Sequence, residues 1–320
     1  MLEAVRWGVL GTGSIARTVV DAVGPGAFVA AASRSAFRAQ AFGLPTAFDS
    51  YSALIESDTI DAVYIALPNA LHAEWTARAL AAGKHVLCEK PFAATAADAT
   101  LAVAKADDLV CAEGFMWRLH PQTALARSLV ADGAIGRLAH VRAALRITAG
   151  PGDVRLSAEL GGGAMSDLGC YCLSAMRLFA GEPQSVQATG TFGEVDIRIA
   201  ALLALPGGVT GAFDAALDMP RADELELVGD AGTLRIRDPW ICRAGYVSLV
   251  RDGKEERLPV DPTGRHGLTG TEADPYRIEF ARINAAITGA SALEFGPEDA
   301  VAWATAFEQV LRAAGRSAGG

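Results

Sequence analysis

The chain has 320 residues, of which 51% are hydrophobic and 20% are charged. This length and composition exclude a mainly disordered protein and favour two domains over one. The 28 basic residues are outnumbered by 37 acidic residues, giving a formal net charge of −9, which disfavours nucleic acid or an anionic membrane as a partner.

The cysteines and the first residues bear on the compartment. Five cysteines without a CxxC pair are typical of a reduced intracellular protein rather than of a disulfide framework. The opening MLEAVRWGVLGTG has neither the basic segment nor the cleavage site of a signal peptide. Because no apolar run approaches the ~18 residues of a membrane span, we predict a soluble, cytoplasmic protein.

The first third of the sequence alternates short apolar runs with helical stretches. Such alternation is typical of a parallel, doubly wound sheet. Strands are predicted over Val5–Leu10, Phe28–Ser33, Asp61–Leu67, His85–Cys88 and Leu109–Ala112. Helices are predicted directly after the first strand and over Ala36–Phe42, Ala70–Ala82 and Ala94–Ala106.

The later two thirds have a different pattern. Turn sequences such as LPGGVTG and VRDGKEER separate β-rich runs from Gln184 to Leu258, which predicts an antiparallel meander. The other predicted elements are a strand over Leu138–Thr148 and helices over Pro121–Ala131, Ala164–Phe179, Pro275–Ala286 and Pro297–Ala314. We predict an α/β protein with a doubly wound parallel sheet in residues 1–118. An α+β domain with an open, largely antiparallel sheet is predicted in residues 119–320. For its last helix, packing within this domain and packing on the first domain are both left open.

The segment GTGSIA, residues 11–16, follows the first predicted strand and opens a helix. In this GxGxxA pattern Gly11 allows a tight turn, Gly13 lets the backbone approach a pyrophosphate, and Ala16 permits close helix–strand packing. The free amides of the helix N-terminus then face the anion. The pattern predicts a Rossmann dinucleotide-binding site, with a purely structural turn as the alternative. The remaining loop residues assigned to the cofactor are Thr12, Ser14 and Ile15.

The end of the second predicted strand indicates which dinucleotide binds. An NAD site places an acidic residue about 20 positions after the first glycine. Here the sequence instead reads Ser33-Arg34-Ser35, with Arg38 one turn further. Guanidinium groups offer planar paired donors to phosphate oxygens, so the segment favours the 2′-phosphate of NADP. NAD binding and a merely solvated basic loop are the alternatives.

The candidate for a catalytic cation is Lys90, in the segment Cys88-Glu89-Lys90-Pro91. It lies at the carboxyl end of a predicted strand, where open parallel sheets bind ligands. A residue before proline is held out of the helical region, so the ammonium can point into the crevice. There it can polarise a carbonyl or lower the pKa of a neighbouring acid. The other lysines, Lys84, Lys105 and Lys254, are expected to be solvated.

A glycine-rich loop followed by a helix supplies two further candidates. Asp167 and Tyr171 are four residues apart on the predicted helix and therefore project from one face. The carboxylate can fix a substrate hydroxyl, and the phenol can exchange a proton if a nearby cation lowers its pKa from ~10. From the residues alone, a helix-dipole role for Asp167 and core packing for Tyr171 stay open.

Several other kinds of site have no support in the sequence. The histidines show no metal-ligand spacing, so no metal site is predicted. The nucleophile elbow GxSxG and the P-loop are absent, so acyl and phosphoryl transfer are not predicted either. The histidines are His72, His85, His120, His140 and His266.

Together these segments resemble the Gfo/Idh/MocA family of oxidoreductases. The resemblance covers nearly the whole chain, and EKP with GGGAxxDxGxY is its most specific part. It rests on GTGSIA, ASRS, ALPNALHAEWTARALAAGKHVLCEKPFA, EGFMWRLHPQ, GGGAMSDLGCYCLSAMRLFAGEP and DPYRIEF. The sequence is most similar to the branch of glucose–fructose oxidoreductase, NADP-dependent D-xylose dehydrogenases and dimeric dihydrodiol dehydrogenases.

The resemblance implies a role for each matching residue. It places a nicotinamide over EKP, with Glu89 at the cofactor and Lys90 catalytic. Asp167 then matches the substrate-binding aspartate. Many relatives carry histidine where this chain has Tyr171, whereas the aldose and dihydrodiol branch carries tyrosine, so Tyr171 is assigned as catalytic. Further implied cofactor contacts are Leu67, Pro68, Asn69, His72 and Tyr276. Implied substrate contacts are Trp117, Arg118 and Arg155, for which core packing and solvation are alternatives.

We therefore predict an NADP-dependent dehydrogenase that transfers hydride between the nicotinamide and a hydroxyl or carbonyl of a sugar or polyol. An aldose 1-dehydrogenase that yields a lactone is the favoured form. The alternatives are a dihydrodiol dehydrogenase or carbonyl reductase on a non-sugar ring, a redox-neutral glycoside-cleaving relative, and a non-catalytic NADP-binding regulator. The apolar stretch Ala200–Leu217 and the resemblance predict a sheet face that is covered in a homodimer or homotetramer.

Overall fold

The structure, a computed structural model, describes residues 4–24, 26–261 and 274–316. These residues form two compact units. The first unit combines the chain up to Gly114 with Tyr276–Ala304, and the second combines Phe115–Pro275 with the chain from Thr305 onward. Residues Tyr276–Ala304, which belong to the predicted second domain, therefore cluster with the first unit.

The first unit contains a six-stranded parallel sheet. Its strands are β1 (Trp7–Leu10), β2 (Phe28–Ala32), β3 (Thr46–Phe48), β4 (Ala62–Ile65), β5 (His85–Glu89) and β6 (Cys111–Gly114). They are arranged in the order β3-β2-β1-β4-β5-β6, which is the strand order of a Rossmann sheet. The predicted doubly wound parallel sheet is thereby confirmed. The switch point between β1 and β4 is where such sheets bind their ligands.

The helices of the first unit connect these strands. They are α1 (Ser14–Val23), α2 (Ala36–Ala41), α3 (Tyr51–Ile55), α4 (His72–Ala81), α5 (Ala96–Val103) and, from the later segment, α8 (Pro275–Ile287). The sequence analysis missed β3 and α3. Each is a single short element of three or five residues, too short to show a periodic pattern. Local chemistry still fixes α3, because the Ser50 hydroxyl accepts the Ala53 N–H at its start.

An aromatic cluster forms the core of the first unit. The Phe280 ring of α8 lies 4.9 Å from the Trp7 ring and 5.4 Å from the Phe28 ring. Tyr64 completes the cluster, with its ring 5.6 Å from that of Phe280. The indole N–H of Trp7 donates to the Asn284 side-chain oxygen at 2.9 Å. The late helix α8 is therefore an integral part of the nucleotide-type unit.

The second unit contains an eight-stranded sheet. Its strands are β7 (Leu138–Thr148), β8 (Ser185–Phe192), β9 (Asp196–Ala204), β10 (Thr210–Ala216), β11 (Asp218–Gly229), β12 (Thr233–Arg237), β13 (Tyr246–Arg251) and β14 (Lys254–Pro259). Six of its seven strand pairs are antiparallel. The largely antiparallel sheet is thereby confirmed. The helices α6 (Pro121–Ala131) and α7 (Cys170–Ala180) belong to this unit. The last helix, α9 (Pro297–Ala313), begins within the first unit, and its residues from Thr305 onward belong to the second.

The predicted simple meander is wrong at its centre. The sheet order is β14-β13-β12-β11-β7-β10-β9-β8, so β7 separates the consecutive strands β10 and β11. It pairs parallel with β10, His140 opposite Thr210, and antiparallel with β11, Ala143 opposite Leu225. Turn sequences report only strands that are neighbours in the chain, so nothing in them marks the insertion of a strand made about 60 residues earlier.

The helix α7 packs on one face of this sheet, against β7 and β10. The opposite face of β7, β8, β9 and β10 carries a shallow groove, which we call the open sheet face; it is lined in part by Arg142, Gln187, Leu202 and Asp214. The Leu202 side chain is 59% exposed there. In the apolar stretch Ala200–Leu217, alternate residues of β9 and β10 face the core of the second unit itself. The residues between them lie on the open sheet face.

Other sequence expectations have mixed outcomes. Lys84 is buried rather than solvated, because its ammonium donates to the Ile60 carbonyl oxygen at 2.9 Å. All five cysteines are buried and none forms a disulfide. Within residues 4–24, 26–261 and 274–316, no helix is long and apolar enough to cross a membrane. No cluster of metal-ligating side chains occurs there either, and His266 lies outside the described residues.

Candidate active site

The glycine turn after β1 is shaped for close approach by a ligand. Gly11 has φ +99°, and a Cβ at this position would collide with the carbonyl oxygen of Ala66. Nothing lies within 4 Å of the position of a Cβ at Gly13, and Thr12, Ser14 and Ile15 are exposed or partly exposed. The first turn of α1 has no side-chain cap and no acidic residue. Its N–H groups are therefore suited to a phosphate, which fits the predicted cofactor.

Two cations follow β2. Arg34 and Arg38 are exposed, and within the part of the chain that the structure describes neither guanidinium has a hydrogen bond or an ion pair. Ser33 is buried, and its hydroxyl accepts the Ser35 N–H at 3.3 Å. The Ser35 hydroxyl in turn accepts the Arg38 N–H and begins α2. The two arginines are therefore placed to bind a 2′-phosphate. Ser33 instead stabilises the loop through its hydrogen bond to the Ser35 N–H.

The segment after β4 includes Leu67, Pro68, Asn69 and His72, of which Pro68 and Asn69 are partly exposed. His72 is completely buried. Its Nδ1 lies 2.8 Å from the Pro91 carbonyl oxygen and its Nε2 lies 2.8 Å from the Leu67 carbonyl oxygen. Burial lowers the pKa of His72, whereas the two carbonyl oxygens act in the opposite direction. Since both nitrogens face the backbone, direct contact with a cofactor is not supported; the ring joins two loops.

The carboxyl end of β5 carries Glu89, the last residue of the strand, and Lys90, which follows it. The Glu89 carboxylate is buried and accepts the Tyr64 hydroxyl at 2.5 Å. Burial, followed by the charge of Glu89, raises the pKa of Tyr64 well above its ordinary value, so Tyr64 stays a neutral donor. The Glu89 side chain is thus directed into the core rather than towards a cofactor. Lys90 is partly exposed, and Tyr276 of α8 is partly buried against the same core.

The candidate residues of the first unit share one edge of its sheet. The glycine turn, the arginine segment, Pro68 and Lys90 follow β1, β2, β4 and β5, respectively. All of these strands are parallel, so their carboxyl ends meet at a single edge. Chain segments that are up to 80 residues apart are therefore brought together where doubly wound sheets bind dinucleotides.

In the second unit, Asp167 forms an ion pair with Arg155. The Arg155 Nε donates to an Asp167 carboxylate oxygen, and its Nη1 lies 3.2 Å from both carboxylate oxygens of Asp153. Burial opposes the charge of Arg155, but the two carboxylates outweigh it and raise the pKa of Arg155 further. The Asp167 side chain is 16% exposed and that of Arg155 is 38% exposed. The sequence analysis named both residues but did not predict that they bind each other.

The helix that carries Asp167 and Tyr171 is not α-helical throughout. Residues Met165–Gly169 form a π-helical turn that leads directly into α7. The predicted helix over Ala164–Phe179 is present, but because its first turn is π-helical, the α-helical spacing that put both residues on one face does not apply unchanged there. π-Helical turns are rare in proteins, and those that do occur are often found at functional sites.

An aromatic cluster surrounds the Tyr171 ring. The ring meets Phe115 edge-on at 5.6 Å and lies 5.7 Å from the Trp240 ring. Its hydroxyl lies 4.0 Å from the Met116 sulfur, and the side chain is partly exposed. Packing on several sides restricts the phenol to one orientation. No sequence pattern marked Trp240, which follows β12 in a segment without periodicity.

Trp117 and Arg118 lie in the interior of the second unit. Trp117 packs edge-on against Trp240, with 5.5 Å between the ring centroids. The Arg118 Nε donates to the Ser174 hydroxyl at 2.6 Å, and the guanidinium lies over the Phe115 ring. Both side chains are almost completely buried. For these two residues, burial favours the packing alternative over direct contact with a substrate.

Comparison with known proteins agrees with both units. Residues 5–114 match the family described as oxidoreductase family, NAD-binding Rossmann fold, and residues 123–235 match the GFO/IDH/MocA C-terminal domain. A D-xylose 1-dehydrogenase (NADP(+)) from Haloferax volcanii is 36% identical over 300 residues, 87% of this chain and 88% of its own. A trans-1,2-dihydrobenzene-1,2-diol dehydrogenase from Sus scrofa is 31% identical and is covered to 88%.

Solved structures agree with the sequence relatives. A 3-ketoreductase from Actinomadura kijaniata, crystallised with NADP and TDP-benzene, superimposes with a TM-score of 0.86 at 30% identity. The match covers 96% of this chain and 97% of the other. Family matches over both units and relatives above 30% identity over most of their length lead to one conclusion: the chain belongs to the GFO/IDH/MocA family of oxidoreductases.

Proposed function

We propose that this protein is an NADP-dependent oxidoreductase that transfers hydride between the nicotinamide and a hydroxyl or carbonyl of a sugar. The observation that carries the proposal is the convergence of the glycine turn, the Arg34 segment and Lys90 at one edge of the parallel sheet. NADP needs binding groups at several strand ends, because its pyrophosphate, its 2′-phosphate and its nicotinamide ring lie far apart along the molecule.

The residues of the first unit fit NADP. The uncapped start of α1 beside Gly13 supplies N–H groups for a pyrophosphate. Arg34 and Arg38 supply donors for a 2′-phosphate without giving up an existing ion pair. When bound, the nicotinamide accepts or delivers the hydride. NAD is the alternative cofactor, which leaves these arginines without a ligand.

The proposed chemistry uses three side chains. In the oxidative direction, Tyr171 acts in its phenolate form, which receives the proton of the reacting hydroxyl and becomes the neutral phenol as the hydride leaves the carbon. The Lys90 ammonium stabilises the negative charge that develops on the substrate oxygen. Asp167 accepts hydrogen bonds from other hydroxyls and so orients the sugar, while its ion pair with Arg155 holds the carboxylate in place.

The charge around Asp167 favours a neutral substrate. Arg155 is shared between the carboxylates of Asp153 and Asp167, so the three groups carry a net charge of −1. Such a cluster repels a phosphate and suits a polyhydroxyl compound. With the D-xylose dehydrogenase as a relative, we assign an aldose that is oxidised at its anomeric hydroxyl to a lactone.

A diol on a non-sugar ring is the second candidate substrate, because a dihydrodiol dehydrogenase is also among the relatives. The aromatic rings of Phe115 and Trp240 around Tyr171 are compatible with it. Assays of D-xylose, D-glucose, trans-dihydrodiols and diketones with NADP separate the two. A non-catalytic regulator predicts no turnover with any of them, and a redox-neutral glycoside-cleaving enzyme predicts a nicotinamide that remains bound through dialysis.

The test of the mechanism is substitution of the two proposed proton and charge partners. Lys90→Ala and Tyr171→Phe are each expected to lose about 3–4 kcal/mol of transition-state stabilisation, a fall in kcat of about 10²–10³-fold. Binding of NADPH, followed by its fluorescence, is expected to persist because the phosphate contacts remain. Lys105→Ala and Tyr246→Phe are the matched controls, one in each unit. Near-wild-type turnover in both Lys90→Ala and Tyr171→Phe contradicts the mechanism.

The division of labour is part of the same proposal. Residues 1–118 are proposed to bind NADP and residues 119–320 to bind the substrate and to form the interface of a homodimer or homotetramer. The open sheet face supports such an interface, because the apolar Leu202 is exposed on it. A cytoplasmic setting without nucleic-acid or membrane partners accords with the buried, reduced cysteines and the net charge of −9.

A further inference from the structure

A buried carboxylate lies at the start of the π-helical turn. Asp196, the first residue of β9, is 4% exposed. One of its carboxylate oxygens accepts the Met165 N–H at 2.6 Å. Met165 is the first residue of the turn that contains Asp167 and leads to Tyr171. This is a capping arrangement, but the capping group comes from a strand 31 residues later in the chain.

The glycine before the turn is explained by the same carboxylate. Gly163 has φ +127°, and a Cβ there would collide with an Asp196 carboxylate oxygen. The Gly163 N–H donates to the Arg155 carbonyl oxygen at 2.9 Å, and its own carbonyl oxygen accepts the Asp167 N–H at 3.1 Å. The Gly163 backbone thus links Arg155 to Asp167, and the Asp196 carboxylate occupies the space that a Cβ at Gly163 would need.

The carboxylate is charged at a site that disfavours charge. Burial raises the pKa of Asp196 to about 6, against the opposing effects of the Met165 N–H and the Arg316 charge. Other charged side chains around the turn are Glu194, whose carboxylate accepts the Ala158 N–H, Asp167, and Arg155 with its second partner Asp153. The Arg316 guanidinium donates to the Glu194 carbonyl oxygen at 2.8 Å. A buried carboxylate that is ionised at neutral pH requires the donor that it holds.

We propose that Asp196 is a positioning residue: it fixes the Met165–Gly169 turn and thereby the orientations of Asp167 and Tyr171 that the reaction needs. The proposal rests on the proposed function, since it concerns the same site. It assigns to Asp196 no contact with substrate or cofactor. Asp196 acts through its hydrogen bond to the Met165 N–H and by filling the space beside Gly163.

The experiment compares Asp196→Ala and Asp196→Asn with the wild type. Asp252→Asn is the matched control, since Asp252 lies exposed in a turn between β13 and β14 of the same unit. Kinetics with NADP and D-xylose give kcat and KM across pH 5–9, and NADPH fluorescence gives cofactor affinity. Hydrogen–deuterium exchange followed by mass spectrometry reports on the peptide containing Gly163–Tyr171, with β13 as the reference.

For Asp196→Ala we expect at least a tenfold fall in kcat, NADPH affinity within twofold of the wild type, and at least tenfold faster exchange confined to Gly163–Tyr171. Asp196→Asn keeps an acceptor for Met165. We expect it to recover most of kcat at pH 8 and to lack the decline in kcat that is expected of the wild type as the pH falls through about 6.

Unchanged exchange and unchanged kcat in Asp196→Ala overturn the proposal, as do superimposable pH profiles of Asp196→Asn and the wild type. If Asp196→Ala does not fold, Asp196→Asn alone decides through its pH profile and exchange. If the wild type turns over no substrate, the proposed function has failed, and the exchange data still decide: an unchanged Gly163–Tyr171 peptide overturns the role of Asp196, and faster exchange supports it.

Discussion

Replacement of Arg34 by alanine is expected to weaken NADP binding and to leave NAD binding unchanged. The Arg34 guanidinium follows β2, at the sheet edge that carries the glycine turn, and Arg38 lies one helical turn later. In residues 26–261 neither side chain has a partner to give up before it binds a phosphate. The whole strength of a new charge-assisted bond is therefore available for cofactor selection.

The size of the effect follows from the number of bonds. A hydrogen bond to a charged group contributes about 1.5–3 kcal/mol, and 1.4 kcal/mol corresponds to about tenfold in affinity. Exposure of the site in water favours the lower half of this range. For Arg34→Ala we thus expect a 10- to 30-fold rise in the KM for NADP. Arg34→Asp adds repulsion of the phosphate and is expected to reverse the preference towards NAD.

The assay measures kcat/KM for NADP and NAD at 50 and 500 mM salt. At the higher salt concentration, screening is expected to reduce the preference of the wild type for NADP over NAD. Arg78→Ala is the matched control, because Arg78 is an exposed arginine in the last turn of α4 that pairs with Glu74 at 2.7 Å. An NADP/NAD ratio that is unchanged in both Arg34→Ala and Arg34→Asp refutes the reasoning. A ratio altered equally by Arg78→Ala also does so.

Two further outcomes are expected. His72→Leu removes the ring that joins the Leu67 and Pro91 carbonyl oxygens; it is expected to lower the free energy of unfolding by about 1–3 kcal/mol in urea and to raise the KM for NADP, and wild-type values of both contradict this. Leu202→Arg places a charge on the open sheet face and is expected to convert the oligomer to monomers in analytical ultracentrifugation. The control Leu101→Arg, on the exposed side of α5, is expected to leave the oligomer intact. A monomeric wild type contradicts the proposed interface.

The sequence was most informative where a pattern is repeated or locally encoded. Five of the six parallel strands of the first unit are short apolar runs, so their positions were predicted to within a few residues, whereas β3 was not predicted. The bounds of α6 and β7 were predicted without error. Pro121 at the first helical position and Gly133 after the end mark α6 clearly. The glycine turn was recognisable as a short local motif, although the collision that excludes a Cβ at Gly11 is with Ala66, which lies after β4.

The remaining features depend on contacts between distant residues. Asp196 is an ordinary strand residue in the sequence, and its carboxylate matters only because folding brings the Met165 N–H to it. Lys84 was expected to be solvated, but a carbonyl oxygen from Ile60 holds it in the interior. The π-helical turn has no periodic pattern of its own, because it is a single turn within a helix.

The return of the chain to its first unit has a consequence for biosynthesis. The aromatic core around Trp7 and Phe28 lacks Phe280, and the indole of Trp7 lacks Asn284, until the segment Tyr276–Ala304 has been made. At about 5–20 residues per second, the ribosome delivers that segment roughly ten seconds or more after β6 emerges. The nucleotide-type unit therefore waits, incompletely packed, through the whole synthesis of the intervening sheet, and a gene fragment that stops at its contiguous boundary lacks part of its interior.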